Sequence, residues 1–148
     1  MIEKTELTNM CMVYDDEMNV VVQHRVKSWC GWAFPGGHVE PHEGFVDSTI
    51  REIKEETNLD IWNLKLVGIK QWECENVRHI VFLYKTDCFS GKLKSSDEGE
   101  IRWVPLKDLY NMELAHTFKE MIDLMNEDKK SELILKRDEN NELHMIFK

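Results

Sequence analysis

The features that this sequence lacks exclude several classes of protein. None of its apolar runs approaches the ~18 residues that a membrane-spanning helix needs. Its acidic start also lacks the basic segment and apolar core of a signal peptide, so we expect neither a membrane anchor nor secretion. Basic residues are too few to balance the acidic ones, 19 against 28, which leaves a formal charge of −9. Binding a nucleic acid strand normally requires a basic surface, so we expect no nucleic acid strand as the main partner.

Cysteine is scarce and scattered. The four cysteines form no CxxC pair and do not cluster with histidine, as a structural zinc site would require: Cys11, Cys30, Cys74 and Cys88. Three of them lie in apolar or aromatic runs, which is typical of reduced thiols in a protein core. We therefore expect a reduced, cytoplasmic protein, although an even number of cysteines is also compatible with a disulfide.

The 148 residues contain no repeat, low-complexity stretch or linker, so we predict a single domain spanning residues 1–148. The apolar fraction of 42% and the five tryptophans supply a sufficient core. Period-2 and period-3.6 patterns alternate along the chain. They predict a hairpin of strands 11–14 and 18–24, helices at 45–57 and 116–125, strands at 64–72, 78–86 and 101–104, and a hairpin over 132–147.

The predicted helix 45–57 carries three carboxylates, Glu52, Glu55 and Glu56, within an arc of roughly 100°. Like charges three and four residues apart destabilise a helix. Arg51 and Lys54 lie off this arc, so we expect a hard divalent cation with oxygen ligands to compensate the carboxylates, rather than a merely solvated charged face. A second arc can be buried, and it consists of Val46, Ile50, Ile53 and Thr57.

A glycine-rich segment precedes this helix, as is typical of a site at which the backbone comes close to a ligand. Phe34-Pro35-Gly36-Gly37 comes first, and glycine allows the close backbone approach that a phosphate or metal site needs. Gly44 is an acceptable N-cap, and Asn58 can adopt the left-handed conformation that ends a helix. No D-x-[DN]-x-[DN]-G loop is present, which excludes an EF-hand.

The spacing of these residues resembles the Nudix box, G-x5-E-x7-R-E-U-x-E-E-x-G-U, in which U is a bulky apolar residue. The one departure is Asn58 where the family has Gly, and Asn also tolerates a positive φ. The resemblance implies an α+β fold, an α/β/α sandwich with a mixed central sheet. The matching positions are Gly37, Glu43, Arg51, Glu52, Ile53, Glu55, Glu56 and Leu59.

This resemblance also implies metal-dependent hydrolysis of a nucleoside diphosphate linked to a further group. Glu56 would be the central metal ligand, supported by Glu52, Glu55 and the Gly36 carbonyl. Arg51 would orient a carboxylate, with Glu43 supporting it. Mg²⁺ is favoured over Mn²⁺ on availability alone, since both accept octahedral oxygen sites. The box does not decide which carboxylate is the general base.

Two further segments resemble the MutT group of 8-oxo-dGTP diphosphatases, which release monophosphate and pyrophosphate and so sanitise the nucleotide pool that supplies DNA. One segment is 32–40, and the other is 98–104, in which Glu98, or else Glu100, would join the metal shell. Arg25 falls where the group has a substrate-contacting arginine. His116 falls near a base-contacting position where the group has an amide. Gly36, Gly37 and Phe34 would line the substrate site, and Trp29, Trp32 or Phe34 would stack on a purine.

Several alternatives remain open on the sequence. The residues that mark ADP-ribose and dinucleoside polyphosphate hydrolases are absent, since Glu73 and the segment 74–76 occupy those positions. The chain could still act on another nucleoside diphosphate derivative, or bind nucleotide without catalysis, although all box carboxylates are present. A homodimer is expected only by analogy with the family.

Overall fold

Ten strands and two α-helices make up the structure, a computed structural model that describes residues 1–148. The strands are β1 Lys4–Val13, β2 Asn19–Arg25, β3 Gly31–Ala33, β4 Asp60–Trp62, β5 Lys65–Cys74, β6 Val77–Thr86, β7 Cys88–Ser90, β8 Ile101–Pro105, β9 Glu132–Arg137 and β10 Leu143–Phe147. The helices are α1 Phe45–Thr57 and α2 Phe118–Met125, and a 3₁₀ helix spans Leu106–Asn111. Neither α-helix has the length and apolar character needed to cross a membrane.

The largest sheet has five strands in the order β1-β6-β5-β9-β10 and is mixed. β1 runs parallel to β6 and β5 parallel to β9, whereas β5–β6 and β9–β10 are antiparallel. A three-stranded antiparallel sheet, β3-β2-β8, and a two-stranded sheet, β4-β7, complete the β-structure. The predicted mixed sheet of an α+β fold is therefore confirmed.

The two helices cover opposite faces of this β-structure. Side chains alternate along a strand, so Met12 of β1 joins a core with Ile122 of α2. Its neighbours Cys11 and Val13 join a second core with Ile53 of α1. The result is the predicted α/β/α sandwich, in which each helix buries one apolar stripe against one face.

The predicted hairpin of strands 11–14 and 18–24 is wrong, because the two segments pair only next to the turn. Tyr14 and Val20 form an isolated antiparallel bridge, but the strands then separate, and β1 pairs along its whole length with β6. β2 pairs instead with β3 and β8. The polar turn is local and readable in the sequence, whereas the choice of partner strand depends on residues far along the chain.

Helix α1 has the predicted bounds, and Asn58 ends it with φ of 70° and an N–H bonded to the Lys54 carbonyl. The predicted buried face is wrong at Val46, which is 42% exposed. The helix turns Glu56 inward instead, together with Ser48 and Thr49. One of the three carboxylates therefore lies on the buried side of the helix.

The other predictions differ mainly at their ends. α2 begins at Phe118 rather than His116, because Thr117 has φ of +67° and cannot continue a helix. The strands β5, β6 and β8 and the β9–β10 hairpin are confirmed, and β5 and β6 pair with each other. The elements that the sequence pattern missed are β3, β4, β7 and the 3₁₀ helix, each too short to show a period.

The cysteines are all free thiols, but the prediction of core positions holds only for Cys11. Cys30 and Cys74 are exposed and Cys88 is half-buried. Burial raises the pKa of the Cys11 thiol well above its ordinary value.

Candidate active site

A cleft of about 890 Å³ lies between α1, the loop before it and the start of α2. Its volume is within the usual range of small-molecule sites, roughly 300–1,000 Å³. Nine of the predicted site residues line it, although they are spread over most of the chain: Arg25, Phe34, Gly36, Gly37, Glu52, Glu55, Glu56, Glu98 and His116. The other two, Glu43 and Arg51, are not among the lining residues and lie behind the carboxylates.

The glycine loop runs alongside β1 as an irregular extra strand. Asn9 N–H donates to the Gly37 carbonyl at 2.8 Å, and Cys11 N–H donates to the Pro35 carbonyl at 3.0 Å. Gly36 lies between these acceptors and points the other way, so that its N–H donates to Glu56 Oε2 at 3.0 Å. In extended backbone the N–H and carbonyl of one residue face the same side. The Gly36 carbonyl is therefore presented on the side of Glu56.

Lack of space next to the backbone of β1 requires glycine at position 36, whereas a Cβ at position 37 would displace the Glu52 carboxylate. A Cβ on Gly36 would lie 2.1 Å from the Asn9 carbonyl oxygen, and one on Gly37 would lie 2.3 Å from Glu52 Cδ. The buried Asn9 side chain fastens the loop, since it accepts from Gly37 N–H at 3.1 Å and donates to Ser48 Oγ at 3.0 Å. The sequence analysis missed Asn9, whose only signal was a polar residue in a strand.

Glu56 is the most buried acid of the cleft, with 8% of its surface exposed. The pKa of its carboxyl is raised to about 8, chiefly by burial; the charges of Glu52 and Glu98 also raise it, while the Gly36 N–H and Arg25 lower it. Burial likewise raises the pKa of Glu52. Two desolvated carboxyls beside a backbone carbonyl form an oxygen-rich site that favours a positive charge. The donor set therefore fits a hard divalent cation.

Arg51 holds the acids together from behind. Its Nε and Nη2 donate to the two oxygens of Glu43 at 2.7 and 2.9 Å, and its Nη1 contacts Glu52 at 3.0 Å and Glu55 at 3.2 Å. Nη2 also donates to the His38 carbonyl at 3.0 Å. These bonds hold the pKa of Glu43 at about 2 and raise that of Arg51. Arg51 starts from a position off the acidic arc, but its long side chain reaches back to the arc, and its two-point contact with Glu43 is the carboxylate pairing that was expected of it.

The oxygens of Glu52, Glu55 and Glu56 do not all lie within 4.8 Å of one another. Arg51 binds the first two, while the third bonds to Gly36. The one group of three ligand-type side chains that is this tight is Asp138, Glu142 and His144, at the exposed turn of the last hairpin. Asp138 accepts backbone N–H groups from Asn140 and Glu142, an ordinary way to close a turn.

The acidic loop before β8 brings Glu98 and not Glu100 to the cleft. Glu98 lines the cleft opposite α1 and lies 3.7 Å from Lys27, whereas Glu100 bonds to Arg102 at 2.8 Å. Gln23 lines the cleft as well, and its buried Nε2 has no hydrogen-bond partner in the protein. Buried polar groups are nearly always bonded, so this atom is one that a bound group would satisfy.

Arg25 and His116 lie on different elements, yet both line the cleft. Arg25 ends β2, and its Nε donates to the Ser28 carbonyl at 3.1 Å, which holds the side chain near the loop 26–30. Its charge acts on Glu56. His116 is exposed and directly precedes the left-handed Thr117 at the start of α2.

The aromatic residues expected to stack on a base divide into two groups. Trp32 is buried against His24, with ring centroids 4.8 Å apart, and fully buried Phe34 packs edge-on against Phe118. Trp29 is 48% exposed and lines the cleft. The sequence analysis missed the other aromatic lining residues, Trp72 and His79, because their strands gave no sign of which face is open.

Comparison with known proteins places this architecture in a family. A model of the NUDIX domain matches residues 4–125. An uncharacterised Nudix hydrolase of Bacillus subtilis, YvcI, is 31% identical over 121 residues, which are 78% of this chain and 75% of that protein. The chain belongs to the Nudix family. As a Nudix hydrolase it acts on phosphoric anhydride bonds in small nucleotide substrates, and hydrolases of this family generally need divalent metal ions.

More distant Nudix proteins share a smaller part or only the fold. The phosphatase NudJ of Escherichia coli K12 is 29% identical over 69 residues, 47% of this chain and 45% of NudJ. The MutT protein of Bacillus halodurans has a similar structure, with a TM-score of 0.79 at 22% identity over 96% of this chain and 97% of that one. The MutT hydrolase of Burkholderia pseudomallei has a TM-score of 0.70 at 19% identity, over 82% of this chain and 98% of that one. At these identities the structures show the shared fold.

Proposed function

We propose that this Nudix hydrolase is a Mg²⁺-dependent nucleotide pyrophosphohydrolase that converts 8-oxo-dGTP, or a related oxidised nucleoside triphosphate, to monophosphate and pyrophosphate. The observation that carries the proposal is the composition of the cleft. The acids of α1 line it together with the aromatic residues Trp29 and Trp72, and we take the acids as one end and the two rings, which lie at Lys70, as the other. A triphosphate needs cation-binding acids, and a base needs flat aromatic surface. The structural similarity to proteins named MutT supports the same assignment.

The acid end would hold the metal through Glu56, Glu52, Glu55 and the Gly36 carbonyl, with Glu98 joining from the opposite wall. A divalent cation bound there lowers the pKa of a coordinated water and neutralises phosphate charge. Mg²⁺ is proposed on availability, and Mn²⁺ suits the same oxygen ligands. Any carboxylate of this group that takes the proton of the attacking water must lie within hydrogen-bond reach of it.

The remaining residues position the reacting groups. Arg51 holds Glu52 and Glu55 in place and is itself held by Glu43 through a two-point contact. Arg25 is suited to a phosphate oxygen, because it lies in the cleft beside the acids and carries a permanent charge. Gly37 and Gly36 let the backbone approach the substrate.

At the other end, Trp29 offers an exposed aromatic ring to the base, and His116, two residues before α2, lies next to Thr117, which bonds to Lys70 beside that ring. Phe34 supports the floor of the cleft from the core. We further propose that the protein is a cytoplasmic homodimer of single-domain subunits that keeps oxidised nucleotides out of DNA synthesis. The free thiols are in keeping with a reducing compartment.

A panel of nucleotides incubated with Mg²⁺ tests the proposal. The panel contains 8-oxo-dGTP, dGTP, the other triphosphates, ADP-ribose and diadenosine polyphosphates, and the products are identified by chromatography. We expect the highest kcat/KM for an oxidised purine triphosphate, with release of pyrophosphate. Turnover of only a sugar or dinucleotide substrate would reassign the substrate class within the family.

Glu56→Gln is the matched variant for this panel, and we expect it to lower kcat by about a thousandfold, since the metal contributes several kcal/mol. Asp47→Asn changes an exposed acid on the same helix, outside the cleft, and should leave kcat nearly unchanged. No turnover of any nucleotide by the wild type, together with tight nucleotide binding, would point to a non-catalytic Nudix domain.

A further inference from the structure

A buried lysine lies in the cleft away from the acids of α1. Lys70 of β5 lines the cleft, yet only 4% of its surface is exposed. Its Nζ lies 5.3 Å from the centroid of the Trp29 ring and 4.9 Å from that of Trp72. Nζ donates its one hydrogen bond within the protein to Thr117 Oγ1, at 2.7 Å. An ammonium group has three N–H donors, so two of them have no oxygen or nitrogen acceptor.

Burying the ammonium group of Lys70 costs free energy, and Thr117 and Glu120 are the neighbours that stabilise it. Burial lowers the pKa of Lys70 to about 8, while the charge of Glu120 on α2 acts in the opposite direction. Its acceptor, Thr117, has φ of +67°, a conformation that a β-branched residue rarely adopts. Backbone strain of this kind persists where the surrounding structure demands it, and it clusters at ligand sites.

Next to the ammonium lies a cluster of aromatic rings, and its most exposed member, Trp29, is 48% exposed and lines the cleft, so Trp29 offers the surface that is open to a base. Trp29 meets Trp72 edge-on, with ring centroids 5.7 Å apart, and Trp72 stacks on His79 at 4.8 Å with the planes only 6° apart. Flat rings such as these bind nucleobases by stacking whatever the base. Stacking alone therefore does not select a base, and a polar group at its edge is needed for selection.

We propose that Lys70 is the residue that selects the base, and that it selects purines with a carbonyl at C6. Such purines, among them guanine, 8-oxoguanine and hypoxanthine, present an oxygen acceptor to a donor-only side chain. Adenine presents an amino group at the same position, which would oppose the N–H groups of Lys70. Lysine contacts to the O6 and N7 acceptors of guanine follow the same chemistry in DNA recognition.

This inference rests on the proposed function for its substrate, because it takes the aromatic end of the cleft as the base site. It goes further in assigning the choice of base to Lys70, which no feature of the Nudix box predicts. Its test uses the pair dIMP and dAMP, which carry a carbonyl and an amino group respectively at C6. Titration calorimetry of the full chain in EDTA measures their binding without catalysis.

We expect the wild type to bind dIMP at least about tenfold more tightly than dAMP. Lys70→Met keeps most of the volume and removes the donors, and should bring the two affinities within about twofold. Lys119→Met removes an exposed lysine of α2 that pairs with Asp123, and should keep the wild-type preference. A thermal melt of each variant shows whether it is folded.

Equal binding of dIMP and dAMP by the wild type would overturn the inference even if Lys70→Met fails to fold. A folded Lys70→Met that keeps the preference would overturn it as well. The kcat/KM ratio of dITP to dATP separates this failure from that of the proposed function. Turnover of both triphosphates at equal rates refutes only the role of Lys70, whereas turnover of neither these two nor 8-oxo-dGTP refutes triphosphate hydrolysis.

Discussion

Glu56 has to meet two opposing requirements. It is buried because it faces the Gly36 loop, yet it must be charged to bind a cation. Its folded-state pKa is about 8, against an ordinary value of 4.5. Between these two values the folded protein binds more protons than the unfolded chain. The contribution of Glu56 to the free energy of unfolding is therefore greatest below about pH 4.5 and falls as the pH rises towards 8.

Glu56→Gln should remove this pH dependence. In EDTA, we expect the variant to become more stable relative to wild type by roughly 2–4 kcal/mol between pH 5 and pH 8.5. Urea unfolding at several pH values measures this difference. Mg²⁺ should raise the melting temperature of the wild type at pH 8.5 and have little effect on the variant. Parallel pH profiles for the two proteins would contradict the burial argument.

Asn58 is the one departure from the Nudix box, and its conformation explains why it is tolerated. Its φ is 70°, and its Nδ2 donates to the Lys92 carbonyl at 3.1 Å. Asn58→Ala should cost about 1–2 kcal/mol of unfolding free energy, since alanine lacks both the bond and the tolerance for positive φ. Asn58→Gly should cost clearly less. Chemical denaturation measures both, and equal losses would mean that the side-chain bond, not the backbone, matters.

At the scale of elements, the glycine loop packs closely against α1, because Gly37 lies next to the Glu52 carboxylate. A Cβ on Gly37 would overlap the Glu52 carboxylate and push it away from its contact with Arg51. We expect Gly37→Ala to lower kcat by about 10–100-fold, as is usual when a group that orients metal ligands is disturbed. The matched control is Gly44→Ala, where the new Cβ meets only the movable Asp47 carboxylate at 3.2 Å. Similar activities of the two variants would contradict the role of the loop.

At the scale of elements, α1 and its ends were predictable, because caps and period are properties of a few adjacent residues. The partner of β1 in the sheet was not predictable. β1 pairs with β6, which places Lys4 opposite Val77, and this choice depends on packing between residues far apart in the sequence. The inward turn of Glu56 was hidden for the same reason. The periodicity of the sequence predicted that Val46 is part of the core, but its side chain is 42% exposed.

The last hairpin matters to the molecule as a whole, although it lies outside the segment 4–125 that matches the NUDIX domain. β9 extends the main sheet beside β5 and places Leu133 opposite Lys70 and Leu135 opposite Trp72. Leu133 is fully buried in the larger core. The hairpin therefore supports the strand that carries the aromatic end of the cleft.

Leu133→Ala should lower the free energy of unfolding by about 2–4 kcal/mol, the usual cost of a cavity in a packed core. Leu66→Ala truncates a half-exposed leucine of β5 and should cost much less. Urea unfolding of both variants measures the difference. A loss at Leu133 no larger than at Leu66 would show that the hairpin is not part of the cooperative core.

The sequence by itself determined the acid helix, its glycine approach and the Nudix spacing, because these depend on short-range periodicity and on the conformations that single residues allow. Only the tertiary structure decided which acid is buried, that Arg51 contacts Glu43, Glu52 and Glu55 but not Glu56, and that Asn9, Lys70 and Trp72 belong to the cleft. Burial, desolvation and contact between distant strands arise when the sheets close, and no local pattern encodes them. The residues proposed to bind the metal thus lie mostly in one segment of the sequence, whereas those proposed to select the base come together only in the folded protein.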